Sequence, residues 1–244
     1  MEFELLSVAD IDSRIEAIED VAEVLTAVRE WSKERGIVRQ SYHFTPVFDG
    51  PTSDRTIIYA EGFPDEWLAL YRDSELRTID PIPGFTFKMA RLTYWREALA
   101  ACAELEGTSR YAEVMQAHGL VYGFGLPLYG PHSRNAYASC DFDRPMDREG
   151  DGMLLLDVRL IHQIAHQRLC VLLDRERKAP TLSERETEVL QWIVRGKSTV
   201  DIGAILSISP ETVRTYTQRI YAKLDPADRV GATVKALKLR LVEP

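Results

Sequence analysis

The sequence predicts an α+β protein in two parts, an N-terminal α/β/α sandwich on an antiparallel sheet followed by a small C-terminal four-helix domain. Three observations carry this. Runs rich in β-branched and aromatic residues, of strand length and separated by turn compositions, lie among segments with helical three-and-four spacing. The charged, proline-containing stretch DRERKAPTLS then divides the chain near residue 180. Beyond it, three helix-start signals follow in close order between Ser183 and Ser209.

Composition sets the frame. The chain has 244 residues, 45% hydrophobic and 9% aromatic, which fits a soluble globular protein of two domains. The expected division is a first domain over 1–173, a linker over 174–182 and a second domain over 183–244. No run of about 18 uncharged apolar residues occurs, and MEFELLSVAD is acidic where a secretion signal would be basic, so a cytoplasmic protein with no membrane partner is expected. Cys102, Cys140 and Cys170 show no CxxC spacing, which argues for reduced thiols and against a zinc finger. The net charge of −8 is unevenly spread: residues 174–244 hold 13 Lys and Arg against 10 Asp and Glu, a balance of +3, which leaves 17 against 28, or −11, for residues 1–173. A small basic module can contact phosphates even when its neighbour is acidic.

In the first domain, Ile15, Ile18, Ala22, Leu25, Val28 and Trp31 trace one face of a single helix from about Val8 to Arg35, stopped by Gly36. IVRQSYHFTPVFD and SDRTIIYA, separated by DGPT, read as two paired strands, and residues 64–76 and 96–118 as helices. LVYGFGLPLYG, GPHS and RNAYASCDF read as strand, turn and strand, with Gly123 and Gly125 marking places where a side chain would not fit. A long helix is expected from about Arg148 to Lys178.

In the second domain, Ser183 with Glu186 forms a capping-box pattern opening a helix with Val189, Leu190 and Ile193 inward. Ser198 with Asp201 repeats it ahead of a short helix carrying Ile202, Ile205 and Leu206. Ser209 and Pro210 supply the third start, a cap and the residue suited to the first helical position. Val213, Tyr216, Ile220 and Leu224 form the inward stripe of this third helix, leaving Thr212, Arg214, Thr215, Gln218 and Arg219 available to nucleic acid. A short helix, a tight turn and a second helix with exposed Arg and Gln is the helix-turn-helix arrangement, whose second helix enters the major groove. A fourth helix from Pro226 to about Leu239 is expected to bury Val230, Val234 and Leu237, together with Leu241 just beyond it.

The stretch LSERETEVLQWIVRGKSTVDIGAILSISPETVRTYTQRIYAKL resembles the DNA-binding domain of LuxR-type transcription factors, with Glu186, Leu190 and Gly196 in place. Gly203 stands where that family usually has Ala and Tyr216 where His is frequent. A glycine inside the second helix is expected to loosen it by about 1 kcal/mol.

The input is carried by FPDEWLALYRDSELRTIDPIPGFTFKMARLTYW, residues 63–95. Trp67 and Tyr71 sit one helical turn apart, Asp80-Pro81 follows, and Trp95 closes the segment. On spacing alone, this set fits either ordinary core or a pocket in which rings enclose an apolar group, an indole N–H donates to a carbonyl and a carboxylate accepts from an amide. Identity and spacing are similar to the signature of the autoinducer-binding domains of LuxR-type quorum-sensing receptors, which bind N-acyl homoserine lactones, and GLVYGFGLPLYG resembles a later strand of that domain. The resemblance implies that Trp67 donates to the lactone carbonyl, Asp80 accepts the amide N–H, Tyr71 and Trp95 wall the ligand, and Ser139 donates to the acyl carbonyl. Phe63 stands where many relatives have Tyr, so a hydroxyl donor is missing and an unusual or bulky acyl group is expected. It further implies a homodimer, a twofold-symmetric DNA operator, RNA polymerase as a further partner, and no cofactor besides the signal.

His162, His166, Cys170 and Asp174 recur at four-residue intervals, but they drift round the helix without an HExxH pattern, so no metal site is expected. No nucleophile elbow, P-loop or GxGxxG occurs, and no catalytic residue is assigned. Two other readings are a phosphorylation-controlled response regulator, whose receiver would alternate parallel strands and helices, and an orphan regulator that senses a non-lactone molecule or binds DNA without ligand.

Overall fold

A computed structural model of the chain describes residues 6–46, 49–72, 74–175, 180–226 and 228–242. It divides into two compact units, Met1–Glu176 and Arg177–Pro244.

The first unit begins with α1 (Val8–Ala17) and α2 (Val21–Glu34), two helices where hydrophobic spacing predicts one. The break has a local cause: Ile18 is extended at φ −75° and ψ 132°, and Asp20 caps α2 by accepting from the Glu23 N–H at 2.9 Å. It also resets the helical phase, so Val24 and Ala27 are buried while Ala22 is exposed. Then come β1 (Arg39–Phe44), β2 (Ile57–Glu61), α3 (Asp65–Arg72), α4 (Ser74–Thr78), α5 (Ile82–Met89), β3 (Thr93–Tyr94), α6 (Trp95–Ala101), α7 (Thr108–Ala117), β4 (Phe124–Tyr129), β5 (Asn135–Asp141) and α8 (Gly152–Arg175). The predicted helices over 64–76 and 96–118 are each a pair. Sequence pattern assigns no element to IPGFTFKM, residues 82–89. It forms α5 because Pro83 occupies the first turn, where its missing N–H costs no intrahelical bond. The expected linker begins inside α8, which runs on to Arg175, and residues 176–179 of that linker lie outside the described residues.

The five strands pair antiparallel in the order β2-β1-β5-β4-β3. Alternation along each strand sends successive side chains to opposite faces. On one face Tyr42, Phe124, Leu126, Leu128, Ala136, Ala138 and Cys140 join Ile15, Val28 and Trp31 from α1 and α2 and Val158, Ile161 and Leu169 from α8. On the other, Tyr137 joins Trp67, Tyr71, Ile82, Trp95, Tyr111 and Met115 from α3 to α7. The sheet therefore separates two helical layers, each with its own core, which is the α/β/α sandwich predicted. Burying one such large apolar side chain stabilises by about 1.5–3 kcal/mol.

The second unit consists of α9 (Glu184–Val194), α10 (Thr199–Leu206), α11 (Pro210–Leu224) and α12 (Arg229–Lys238). Ser183 with Glu186 and Ser198 with Asp201 close reciprocal capping boxes, and Ser209 accepts from the Thr212 N–H with Pro210 opening α11. Val189, Leu190, Ile193, Ile202, Val213, Ile220 and Leu224 form the core. Glu186 has a second partner: its buried carboxylate accepts from Lys223 Nζ at 2.6 Å, and Lys223 also donates to the Thr181 carbonyl, tying the start of α9 to the last turn of α11. Gly203 has a packing reason, because a Cβ there would sit 2.8 Å from the Ile208 carbonyl oxygen across the tight turn.

Three expected core positions differ. Ile205 is 43% exposed, and α12 turns Val230 and Val234 outward at 70% and 36% exposure, packing instead through Ala232 and Ala236. Small side chains let α12 approach α9 and α11 closely, and Lys235 Nζ donates to the Leu224 carbonyl at the end of α11.

Candidate functional site

A cavity of about 40 Å³ lies within the first unit, between the sheet and α3 to α7. Phe63, Trp67, Tyr71, Asp80, Trp95 and Ser139, six residues singled out from sequence, all line it. Trp67 and Tyr71 stack with ring centroids 5.7 Å apart and planes at 26°, as one-turn spacing on α3 requires. Asp80, in the connection from α4 to α5, is 8% exposed. Its carboxylate accepts from the Tyr71 hydroxyl at 2.6 Å and from the Ile82 N–H at 2.9 Å. Burial pushes its pKa up to about 6, against the opposing pull of these hydrogen bonds.

Two glycines make the ring geometry possible. The Trp95 N–H donates to the Gly123 carbonyl at 3.0 Å, and a Cβ on Gly123 would lie 2.3 Å from the Trp95 ring. A Cβ on Gly125 would lie 2.5 Å from the Tyr137 ring. The space predicted beside these glycines is thus filled by two aromatic walls of the cavity.

Pattern does not point to Ser41, His43, Tyr111 and Tyr137, which also line the cavity. Ser41 and His43 share a face of β1, and register places Ser41 opposite Ser139 and His43 opposite Tyr137. The Ser41 and Ser139 hydroxyl oxygens are 2.7 Å apart, and His43 Nε2 is 2.9 Å from Ser41 Oγ. Only the alternation of polar residues within the first predicted strand could have suggested them, and that alternation does not say which face meets the pocket. The assembled lining, largely aromatic and apolar with one carboxylate, one imidazole and two serine hydroxyls, suits a small neutral molecule that offers an amide N–H and carbonyl oxygens.

In the second unit, Arg214, Thr215, Gln218 and Arg219 are exposed on α11, while Thr212 is half-buried. Thr212 is partly committed to the cap, its hydroxyl lying 2.8 Å from Ser209 Oγ. Arg214 pairs with Glu211 at 2.7 Å, and the Arg219 guanidinium lies over the Tyr216 ring at 5.8 Å. Both cations stay accessible to an outside partner.

Within the four-residue series on α8, Cys170 Sγ lies 3.7 Å from His166 Nε2, and the other contacts go to groups outside the series. His162 Nδ1–H donates to the Val158 carbonyl, His166 Nε2–H donates to the Arg134 carbonyl while Nδ1 accepts from the Tyr42 hydroxyl at 2.7 Å, and Asp174 pairs with Arg134. Among the described residues no helix is long and apolar enough to cross a membrane.

Two family patterns match the chain. The pattern described as "Autoinducer binding domain" matches residues 20–169, and that described as "Bacterial regulatory proteins, luxR family" matches residues 180–236. The chain is 30% identical over 183 residues to a putative HTH-type transcriptional regulator, y4qH, of Sinorhizobium fredii, a match covering 74% of this chain and 56% of that one. It is 29% identical over 187 residues to the HTH-type quorum sensing-dependent transcriptional regulator RpaR of Rhodopseudomonas palustris, covering 75% and 74%. The fold is similar to that of Escherichia coli SdiA, with a TM-score of 0.78 at 22% identity over 97% of this chain and 98% of that one. The autoinducer-binding pattern alone covers more than half of the chain, and the protein belongs to the LuxR family of bacterial regulatory proteins.

Proposed function

We propose that the signal of this LuxR-type regulator is an N-acyl homoserine lactone and that the liganded protein binds a twofold-symmetric operator as a homodimer. One observation carries the ligand assignment: a buried carboxylate, Asp80, placed among aromatic rings and within the same cavity as the Ser41 and Ser139 hydroxyls. In this reading Asp80 accepts the ligand amide N–H, Ser139 donates to the acyl carbonyl, the Trp67 indole donates to the lactone carbonyl, and Tyr71 and Trp95 wall the ring and chain. A charged acceptor bonded to an amide donor is favoured over a neutral pair by roughly twofold in strength. Phe63 brings no hydroxyl, so Ser139 is the acyl-carbonyl donor.

Dimerisation is supported by α8. Met153, Leu156 and Leu160 form an apolar stripe on its outer side, 72%, 51% and 44% exposed, while Leu155, Val158 and Ile161 are buried. Output is assigned to α11, whose Arg214, Gln218 and Arg219 reach base edges and whose Thr212 and Thr215 reach phosphate. RNA polymerase would then be the partner at an activated promoter. Ligand bound to the folded first domain and not to the unfolded chain stabilises it by mass action, and pairing through α8 sets two α11 helices on two half-sites.

The test is a lactone panel titrated into the full chain, with Asp80→Ala alongside and sedimentation of the protein–DNA complex. Nanomolar to micromolar binding of a lactone, lost in Asp80→Ala, with two chains per operator is expected. Unchanged signal capture by Asp80→Ala overturns the ligand assignment, and one chain on an asymmetric site overturns the dimer.

A further inference from the structure

We infer that His43 is a specificity-determining residue that selects, among acyl homoserine lactones, those whose acyl part carries a hydroxyl group. The inference rests on the lactone reading above and concerns the acyl end of the same cavity. On the cavity side of the sheet, β1 presents Ser41 and His43, and Thr45 follows two residues on; these are 5%, 5% and 8% exposed. A wall for a plain alkyl chain needs no polar group there, and the neighbouring β2 supplies Ile58 and Ala60 on that wall.

Two of these three side chains leave a buried atom without a partner. Ser41 Oγ is engaged by Ser139 and by His43 Nε2, but His43 Nδ1 and Thr45 Oγ1 are buried and bonded to nothing. Such atoms are costly to leave unmade and recover that cost when a ligand supplies the missing bond. The ring is clamped by its neighbours, edge-on to Tyr137 at 5.2 Å and tilted against Tyr71 at 5.7 Å.

Burial and the nearby Arg77 hold the imidazole pKa down to about 3, so the ring is neutral at working pH. A neutral ring has one donor and one acceptor nitrogen. If Nε2 carries the proton, it donates to Ser41, Ser41 donates to Ser139, and Ser139 keeps its own proton for the acyl carbonyl; Nδ1 then needs a donor. If instead Nδ1 carried the proton, Nε2 would accept from Ser41 and Ser139 would have to donate to Ser41, leaving no proton for the acyl carbonyl, so a Ser139 bond to that carbonyl selects the Nε2–H tautomer. A ligand hydroxyl donates to Nδ1 in that tautomer, whereas a methylene cannot. The ligand carbonyl on Ser139 and the ligand hydroxyl on Nδ1 are thereby joined by one continuous chain through Ser41.

The experiment measures Kd by calorimetry on the full chain for two matched pairs: octanoyl against 3-hydroxyoctanoyl homoserine lactone, and 3-phenylpropanoyl against 3-(4-hydroxyphenyl)propanoyl homoserine lactone. The aryl pair is included because the wall is aromatic and Phe63 adds bulk without a hydroxyl. In at least one pair the hydroxylated member is expected to bind about tenfold tighter or more. In His43→Leu that ratio is expected to collapse towards one, and in His43→Asn, which keeps a hydrogen-bonding group, to be retained in part. The wild-type ratios alone decide the matter if the variants fail to fold. Equal Kd within both pairs, as a resident water on Nδ1 would give, overturns the inference and leaves the lactone reading standing; an unchanged ratio in a folded His43→Leu also overturns it. Binding of none of the four lactones by a chain with an intact melting transition overturns both.

Discussion

Replacing Asp80 by Asn should stabilise the ligand-free protein at neutral pH and remove a pH dependence. Asp80 has a pKa of about 6 in the folded chain against 3.8 for the free side chain, because burial disfavours its charge. Between those values the folded state holds the proton more tightly than the unfolded state. The contribution of Asp80 to stability is therefore greatest below about pH 4, falls as pH rises to about 6, and stays lowered above. A gap of about two pH units corresponds to about 3 kcal/mol. Asn keeps the shape and removes the charge; its oxygen can accept from the Ile82 N–H and its amide N–H can donate to the Tyr71 oxygen, but these neutral bonds replace charge-assisted ones, which returns about 1 kcal/mol. The net expectation at pH 7.5 is a gain of about 1–2 kcal/mol, shrinking towards zero near pH 4.5. Urea unfolding of the full chain without lactone, followed by tryptophan fluorescence, reads this, since three of the four tryptophans, Trp31, Trp67 and Trp95, lie in the first unit and only Trp192 lies in the second. Other titrating groups are common to both proteins and cancel in the difference. An Asn variant less stable than wild type at pH 7.5, or a gap that does not change with pH, would refute the reasoning.

An amide N–H donated to Asp80 favours the ionised form, so lactone Kd should rise by roughly tenfold per pH unit below about pH 6 and level off above it; a flat calorimetric profile from pH 5 to 7.5 contradicts this. Gly123→Ala drives a Cβ to 2.3 Å from the Trp95 ring and should cost about 1–3 kcal/mol of stability and about tenfold or more in lactone affinity. Gly84→Ala, in α5 with nothing within 4 Å of the added carbon, is the control and should be neutral or mildly stabilising in the same melts. On α11, Gln218→Ala and Arg219→Ala should each weaken operator binding by about 1–3 kcal/mol while changing binding to scrambled DNA less, as read by anisotropy at fixed salt. Equal losses on both DNAs would move these residues from base reading to phosphate contact.

What could be read from sequence was what local chemistry decides. The serine caps at 183, 198 and 209 place three helix starts to the residue, because each depends on one side chain and an N–H three positions away. Trp67, Tyr71 and Asp80 stand out because α3 and the turn after α4 are local structures that carry their own spacing, but spacing alone fits core as well as pocket, and it was the family resemblance that made them a site. What escaped was decided by pairing between distant segments. Ser41 and His43 face the cavity only because β1 pairs with β5 in a register that puts them opposite Ser139 and Tyr137. The alanine face of α12, not the valine face, packs against α9 and α11, a choice made by those distant helices that no pattern within residues 229–238 reveals. The α1 to α2 break needed the conformation of Ile18, a residue whose type fits a helix as well as it fits a strand.

The sheet explains why one protein can be both stable and responsive. Its α1, α2 and α8 side buries a continuous apolar cluster with Trp31, Ile15, Phe124 and Ile161 at 1% exposure or less. Its opposite side holds a charged carboxylate, a small cavity and unpartnered polar atoms at His43, Thr45 and Thr86. Burial of that kind subtracts stability from the α3 to α7 layer unless something is bound there. Asp80 supplies an acceptor that a hydrocarbon filling would not, and a ligand that donates to it recovers part of the cost of burying the charge. Occupancy and folding of that layer are then a single linked equilibrium, in which free energy of binding appears as free energy of folding. The same linkage predicts that substitutions which cure the layer, Asp80→Asn first among them, will raise stability and blunt the response to signal together.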